Sequence, residues 1–196
     1  MGWRRSRPRT LWQTIVDALV FLSVLFIVLA LLNRFDLINV PDVQVATGSL
    51  SVIDGDSLRK GETEIRLVGI DAPEYRQTCA DQTGKNYPCG KEATSALRNL
   101  VSGGEVVCES HQVDRYHRAL STCRIGKSDI NREMVRQGWA IAYGFHGSEF
   151  DYVLDENEAR RLKRGLWQGS FEKPSDYRKR QRAMQSNATG LSEPDD

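Results

Sequence analysis

The chain is poor in residues that bind soft metals. Its 196 residues include three histidines and four cysteines, Cys79, Cys89, Cys108 and Cys123, and no two cysteines form a Cys-x-x-Cys pair. A structural zinc site needs closely spaced thiolate and imidazole ligands, so this composition argues against one. The chain also lacks a charge excess of one sign, with 27 Lys and Arg against 26 Asp and Glu. Residues 42–171 are slightly acidic, with 17 Lys and Arg against 19 Asp and Glu. A protein with this balance cannot hold polyanions by a general positive field. It needs a local cluster of arginines or a metal ion. Internal repeats are absent, and the length fits one ordinary domain with appendages.

One long apolar run is present. Ala18 to Leu32 reads ALVFLSVLFIVLALL, broken only by Ser23, and extension back to Ile15 adds Asp17. As a helix, residues 15–32 would span roughly 27 Å, close to the thickness of a bilayer core. A small domain would struggle to bury such a helix on every side. The rival is a cleaved signal peptide, but the run is long for one and no small-x-small site follows Leu32. The sequence therefore predicts a single-pass anchor. Arg4, Arg5, Arg7 and Arg9 precede the run and only Arg34 lies close behind it. That asymmetry places residues 1–14 in the cytoplasm and the rest outside, in the periplasm if the cell is bacterial. An even number of cysteines in a domain so placed reads as two disulfides.

Residues 33–42 read as a linker. From Val43 the pattern is β-like. Asp54-Gly55-Asp56 signals a turn, Glu64–Ile70 (EIRLVGI) reads as a buried strand, and Pro73 ends it. Residues 75–90 form a polar loop bracketed by Cys79 and Cys89. Lys91–Val101 has helical apolar spacing. Glu105–Cys108 and Arg118–Arg124 form a hairpin that brings Cys108 opposite Cys123, within bridging reach. The predicted pairs are thus Cys79–Cys89 and Cys108–Cys123. Asp129–Gln137 reads as a short helix capped by Asp129 or Asn131, and Trp139–Tyr143 as a strand. Residues 150–164 read as an amphipathic helix with Tyr152, Val153, Ala159 and Leu162 inward. Residues 172–196 lack apolar periodicity and read as a disordered tail. The domain expected over 43–171 is α+β, organised around a closed barrel.

Acids and arginines concentrate near strand ends, in Asp54-Gly55-Asp56, Arg66, Asp71-Ala72-Pro73-Glu74 and Asp114-Arg115-Tyr116-His117-Arg118. Each motif alone is commonly structural. Together they supply what phosphodiester hydrolysis requires. Asp56 and Asp71 offer hard oxygens for a cation. Glu74 can orient or deprotonate water. Arg66 and Arg118 offer planar donors to charge developing on phosphate.

The series VIDGDSL (52–58), IRLVGIDAPE (65–74), DRYHRAL (114–120), DINREMVRQGWA (129–140) and EARRLKRGLW (158–167) resembles the staphylococcal nuclease family in order and spacing. The resemblance implies an OB-like five-stranded barrel with three helices, and Ca²⁺-dependent cleavage of DNA or RNA that leaves 3′-phosphate ends. It implies that Asp56 and Asp71, with the backbone carbonyl of Ala72, hold calcium, and that Asp54 supports them. It makes Glu74 the base and Arg66 and Arg118 the phosphate-binding arginines. Arg115 and Tyr116 would contact the nucleotide, and Tyr143 or Phe145 would stack on the base. His117 departs from the family, standing where the staphylococcal enzyme has a glycine, whose backbone is freer. A binding or scaffolding module that kept the barrel and lost the acids is the competing class. The acid–arginine set is complete here, which favours the nuclease, and a monomer is expected.

Overall fold

The computed structural model describes residues 11–34, 43–48, 50–144 and 152–190. It forms two compact units, residues 1–41 and 42–196. The first holds helix α1 (Leu11–Arg34), which is long and apolar enough to cross a membrane.

The second unit is α+β. Its strands are β1 (Val43–Gly48), β2 (Ser51–Val52), β3 (Ser57–Lys60), β4 (Thr63–Leu67), β5 (Ile70–Asp71), β6 (Cys79–Ala80), β7 (Asn86–Tyr87), β8 (Val106–Val113), β9 (Ala119–Ile125), β10 (Ser128–Asp129) and β11 (Ile141–Ala142). Its helices are α2 (Cys89–Val101), α3 (Ile130–Arg136), α4 (Val153–Arg161) and α5 (Pro174–Gly190), with a 3₁₀ turn at Gly165–Gln168. The main sheet runs β1-β8-β9-β4-β3-β2, with β10 added to β9. All its pairs are antiparallel except β4 with β9.

The core forms where α2 and α3 pack on this sheet. Leu58, Ile65, Leu67 and Ile70 come from the strand side, and Leu97, Ile130, Met134 and Val135 from the helices. Tyr152, fully buried just before α4, closes it and donates from its hydroxyl to Asp129 Oδ2 at 3.2 Å. Asp129, rather than Asn131, caps α3, accepting from the Arg132 amide at 3.0 Å. Asn131 instead sits in the core. Its amide donates to the Val68 and Ser121 carbonyls and its oxygen accepts from the Cys123 amide. A buried amide satisfied on both ends ties α3 to β9 and to the turn after β4 at once.

Several sequence expectations need correction. EIRLVGI is not one strand. The chain turns at Val68-Gly69, and β5 leaves the main sheet to pair with β11. The strand expected over Trp139–Tyr143 shrinks to Ile141–Ala142, because only that stretch faces β5. Leu162 is 41 % exposed, since α4 ends at Arg161. Phe145 lies outside the described residues. The largest correction concerns the tail. Residues 174–190 form α5 rather than a disordered segment, held by charge rather than by an apolar face. Five α-helices, not three plus the anchor, are therefore present among the described residues.

Both disulfides form as paired in the sequence reading, Cys79–Cys89 and Cys108–Cys123. Cys108 lies opposite Cys123 in the β8–β9 register. Cys79 and Cys89 make a second small cluster with Leu166, at the base of the loop that follows Glu74. The bridges close loops of 10 and 15 residues. Chain entropy gives each about 3 kcal/mol. Reduction of either bridge is thus expected to lower the Tm by roughly 6–12 °C. Calorimetry of the single Cys89→Ser and Cys123→Ser variants measures this, and an unchanged Tm would remove the bridge from the stability of the domain.

Candidate active site

Backbone register assembles the acids and arginines. The β3–β4 hairpin sets Ser57 opposite Arg66, so Asp56, one residue earlier, meets the Arg66 guanidinium. Arg66 Nη1 donates to Asp56 Oδ1 at 2.8 Å and Nη2 to Asp71 Oδ1 at 3.0 Å. Pairing of β5 with β11 holds Asp71 in place. Asp56 Oδ2 accepts from the Ala72 amide at 2.9 Å, which pins the Asp71-Ala72 turn to the Asp56 turn. The Asp56 and Asp71 side chains are almost wholly buried, at 3 % and 0 % exposure, and Ala72 is buried with them.

Glu74 follows Pro73 at the mouth of the site. Its amide donates to Gln77 Oε1 at 3.3 Å, and its carbonyl accepts from the Gln77 amide at 2.7 Å. Gln77 is fully buried, and its Nε2 reaches across to the Glu172 carbonyl at 2.7 Å. The backbone of Gly90, at the start of α2, lies against the Glu74 carbonyl so closely that any Cβ there would overlap it. Glycine is therefore the one residue that lets α2 support the Glu74 turn.

The β8–β9 turn carries the other predicted residues. Asp114 organises it. Oδ1 accepts from the amides of Tyr116 and Arg118 at 2.8 and 3.0 Å, and Oδ2 from Arg118 Nε and Nη2 at 2.9 and 2.7 Å. Burial works against the Asp114 charge, but these hydrogen bonds hold its carboxyl below the usual range. His117 adopts a left-handed φ of 62°, so it takes the conformation for which glycine was expected, and Arg118 is fixed by Asp114 on the cleft wall. The Arg115 and Arg118 guanidiniums lie over the Tyr116 ring, 4.9 and 5.4 Å from its centroid.

These elements enclose a cleft of about 580 Å³. Asp54, Arg66, Glu74, Arg115, Tyr116 and Arg118 line it, and Tyr143 lies at its edge, half-exposed. Asp56, Asp71 and Ala72 stand behind this lining and do not reach its surface.

The sequence reading missed Arg178. Its Nη1 lies 2.9 Å from both Asp71 Oδ1 and Glu74 Oε1, and its Nη2 donates to Asp71 Oδ2 at 3.1 Å. Helix α5 thus places a second guanidinium on the carboxylates, beside Arg66. Burial opposes the charges of Arg66 and Arg178, but their carboxylate partners outweigh it and raise both above the ordinary arginine value. On the acidic side, burial, then the Asp56 charge and more weakly that of Glu74, pushes Asp54 up to about 7. Burial likewise raises Asp71, against the hydrogen bond from Arg178.

This donor set can be tested against a hard cation. Four carboxylates, Asp54, Asp56, Asp71 and Glu74, face two guanidiniums, so negative charge is in surplus. Carboxylate oxygen with no soft ligand suits calcium. Among the described residues, no three His, Cys, Asp or Glu side chains stand close enough to form a metal cage. Both Asp71 oxygens are engaged by arginine. The donor type fits, with Arg66 and Arg178 in competition for the same oxygens.

A buried acid–arginine cluster thus lies beneath a cleft lined by arginine and tyrosine. Residues 64–169 match the family described as "Staphylococcal nuclease homologue", and the chain belongs to that family. It is similar to "Succinoglycan biosynthesis protein ExoI" of Rhizobium meliloti (strain 1021), with 35 % identity over 127 residues, covering 64 % of this chain and 66 % of that one. It is 36 % identical over 127 residues to "Probable endonuclease LCL3" of Candida glabrata, covering 59 % and 48 % of the two chains. "Protein ParB" of Escherichia coli is 35 % identical over 131 residues, covering 59 % and 68 %. The matched segment therefore spans about half to two thirds of these relatives.

Proposed function

We propose that the chain is a Ca²⁺-dependent nuclease that hydrolyses DNA, RNA or both, leaves 3′-phosphate ends, and is held as a monomer at the outer side of a membrane by α1. The observation that carries this is the convergence on one cleft of Arg66, Glu74 and Arg118, with Asp56 and Asp71 directly behind them. Asp56, Asp71 and the Ala72 carbonyl would hold the ion. When bound, calcium supplies fixed positive charge to a phosphate oxygen. Glu74, held at the cleft mouth by Gln77 and Gly90, orients water and takes its proton. Arg66 and Arg118 meet the charge that builds on the phosphoryl oxygens, each already fixed by a carboxylate, so little reorganisation is needed. Arg115, Tyr116 and Tyr143 contact the nucleotide. Barrel closure belongs to the same reading. The chain pairs β8 along 43–48 and β3 along 51–52, as a closing strand would.

The membrane assignment rests on the length and composition of α1, the arginines before it, and two disulfides that persist in oxidising compartments. A reporter fused after Asp196 is expected to read as extracytoplasmic, and a cytoplasmic reading would reverse the orientation. The direct functional test incubates the full chain in non-ionic detergent with labelled DNA and RNA. Cutting is expected with Ca²⁺ and none with excess chelator, and end-group analysis should find 3′-phosphates. Full activity in chelator would overturn the calcium assignment.

A further inference from the structure

We infer that α5 is the second wall of the substrate cleft, and that Arg178, Lys179 and Arg182 make it a phosphate track for a single-stranded polynucleotide. The inference rests on the nuclease reading and extends it to substrate beyond the scissile bond.

The domain has no general positive field, since residues 42–171 carry more acids than bases. Helix α5 reverses this locally. Its 17 residues hold Arg178, Lys179, Arg180 and Arg182 against the single acid Asp176. Three of these cations line the same cleft as Arg115, Tyr116 and Arg118. Arg178 and Arg182 stand one helical turn apart on one face, about 6 Å along the axis, so they repeat along the helix as phosphates repeat along a strand. Arg178 is tied to Asp71 and Glu74, whereas Arg182 is exposed and has no ion-pair partner among the described residues.

The helix is seated independently of any substrate. Pro174 is buried, the Glu172 carbonyl accepts from Gln77, and Arg180 pairs with Glu172 at 2.7 Å. Residues 170 and 80 exchange backbone hydrogen bonds just ahead of it. The other cleft residues point to the kind of ligand. Tyr116 and Tyr143 are 56 % and 53 % exposed, and two arginines lie over the Tyr116 ring. Exposed tyrosines and arginine planes beside a cationic track suit unpaired bases on a phosphate backbone. The family match covers residues 64–169, and α5 lies outside it.

Arg178 is a poor test residue because its loss would also disturb Asp71 and Glu74. The test therefore uses Lys179→Gln with Arg182→Gln in the full chain, in non-ionic detergent and chelator. The probe is a fluorescent single-stranded oligonucleotide longer than the cleft, and binding is followed by anisotropy across a salt series. Lys127→Gln with Arg98→Gln, two exposed residues that do not line the cleft, removes the same charge elsewhere. The log–log salt slope is expected to become shallower by about 1.4 in the α5 variant, with affinity at low salt reduced several-fold. The control pair should keep the wild-type slope. Equal slopes in the wild type and the α5 variant, or an equal loss in both variants, would overturn the inference. Cleavage by the wild type with Ca²⁺ is scored separately. A chain that never cuts defeats the nuclease reading, while the slopes still decide whether α5 binds the strand.

Discussion

Replacing Arg118 by alanine is expected to lower kcat by about 10²–10³-fold while leaving the fold intact, because the lost donor acts on charge that exists only in the transition state. The same variant should lose no more than about 1 kcal/mol of stability. The pair it breaks, Arg118 with Asp114, is partly exposed, at 21 % and 16 %, and such pairs contribute little. Asp114 would keep its hydrogen bonds from the amides of residues 116 and 118, so the turn should survive. Arg118→Lys tests geometry against charge. Lysine restores the charge without the planar fork and should recover only part of the rate. Steady-state kinetics with a thermal melt of each variant measures both quantities. A near wild-type kcat in Arg118→Ala would remove this residue from the mechanism.

Arg66→Ala should differ in kind, because it damages stability and activity together. Arg66 is the cation between Asp56 and Asp71, whose side chains are almost wholly buried. Removal leaves Asp56 without an ion-pair partner among the described residues, and Asp71 with Arg178 alone. Breaking a buried pair on one side costs about 3–5 kcal/mol. Partial exposure of Arg66 and the surviving Arg178 contact favour the low end, about 3 kcal/mol, which corresponds to a Tm lower by roughly 6–12 °C. Activity should fall by at least about 10²-fold, with a larger rise in KM than Arg118→Ala shows. A melt unchanged from wild type would mean that the acidic cluster does not depend on this arginine.

Much of the site could be read from the sequence because short, chemically explicit motifs sit at turns beside strand ends. Asp54-Gly55-Asp56, Arg66, Asp71–Glu74 and Asp114–Arg118 all come to one region of the domain. The disulfide partners were legible because one pair faces across a hairpin and the other brackets a polar loop. The tail was not legible, for a physical reason. Helix α5 has no apolar stripe, and Arg178 finds its partners 104 and 107 residues earlier in the chain. No periodicity test detects a helix that is bound by ion pairs. The available signal was local: Pro174 at a helix start, followed by Arg-Lys-Arg-Gln-Arg, a run of good helix formers. Gln77 and Gly90 were missed for a similar reason. Each matters through the backbone of Glu74, and a side-chain inventory does not record that contact.

The separation between Arg178 and its partners also has a consequence in time. A ribosome adds about 5–20 residues per second, so Asp71 and Glu74 are made some 5–20 s before the guanidinium that will bind them. Through that interval the acids repel one another with only Arg66 among them. The contact can form only after residue 178 is made, later than every strand of the sheet. The nascent domain therefore passes through a stage in which its sheet can form while its acidic floor still waits for the C-terminal helix.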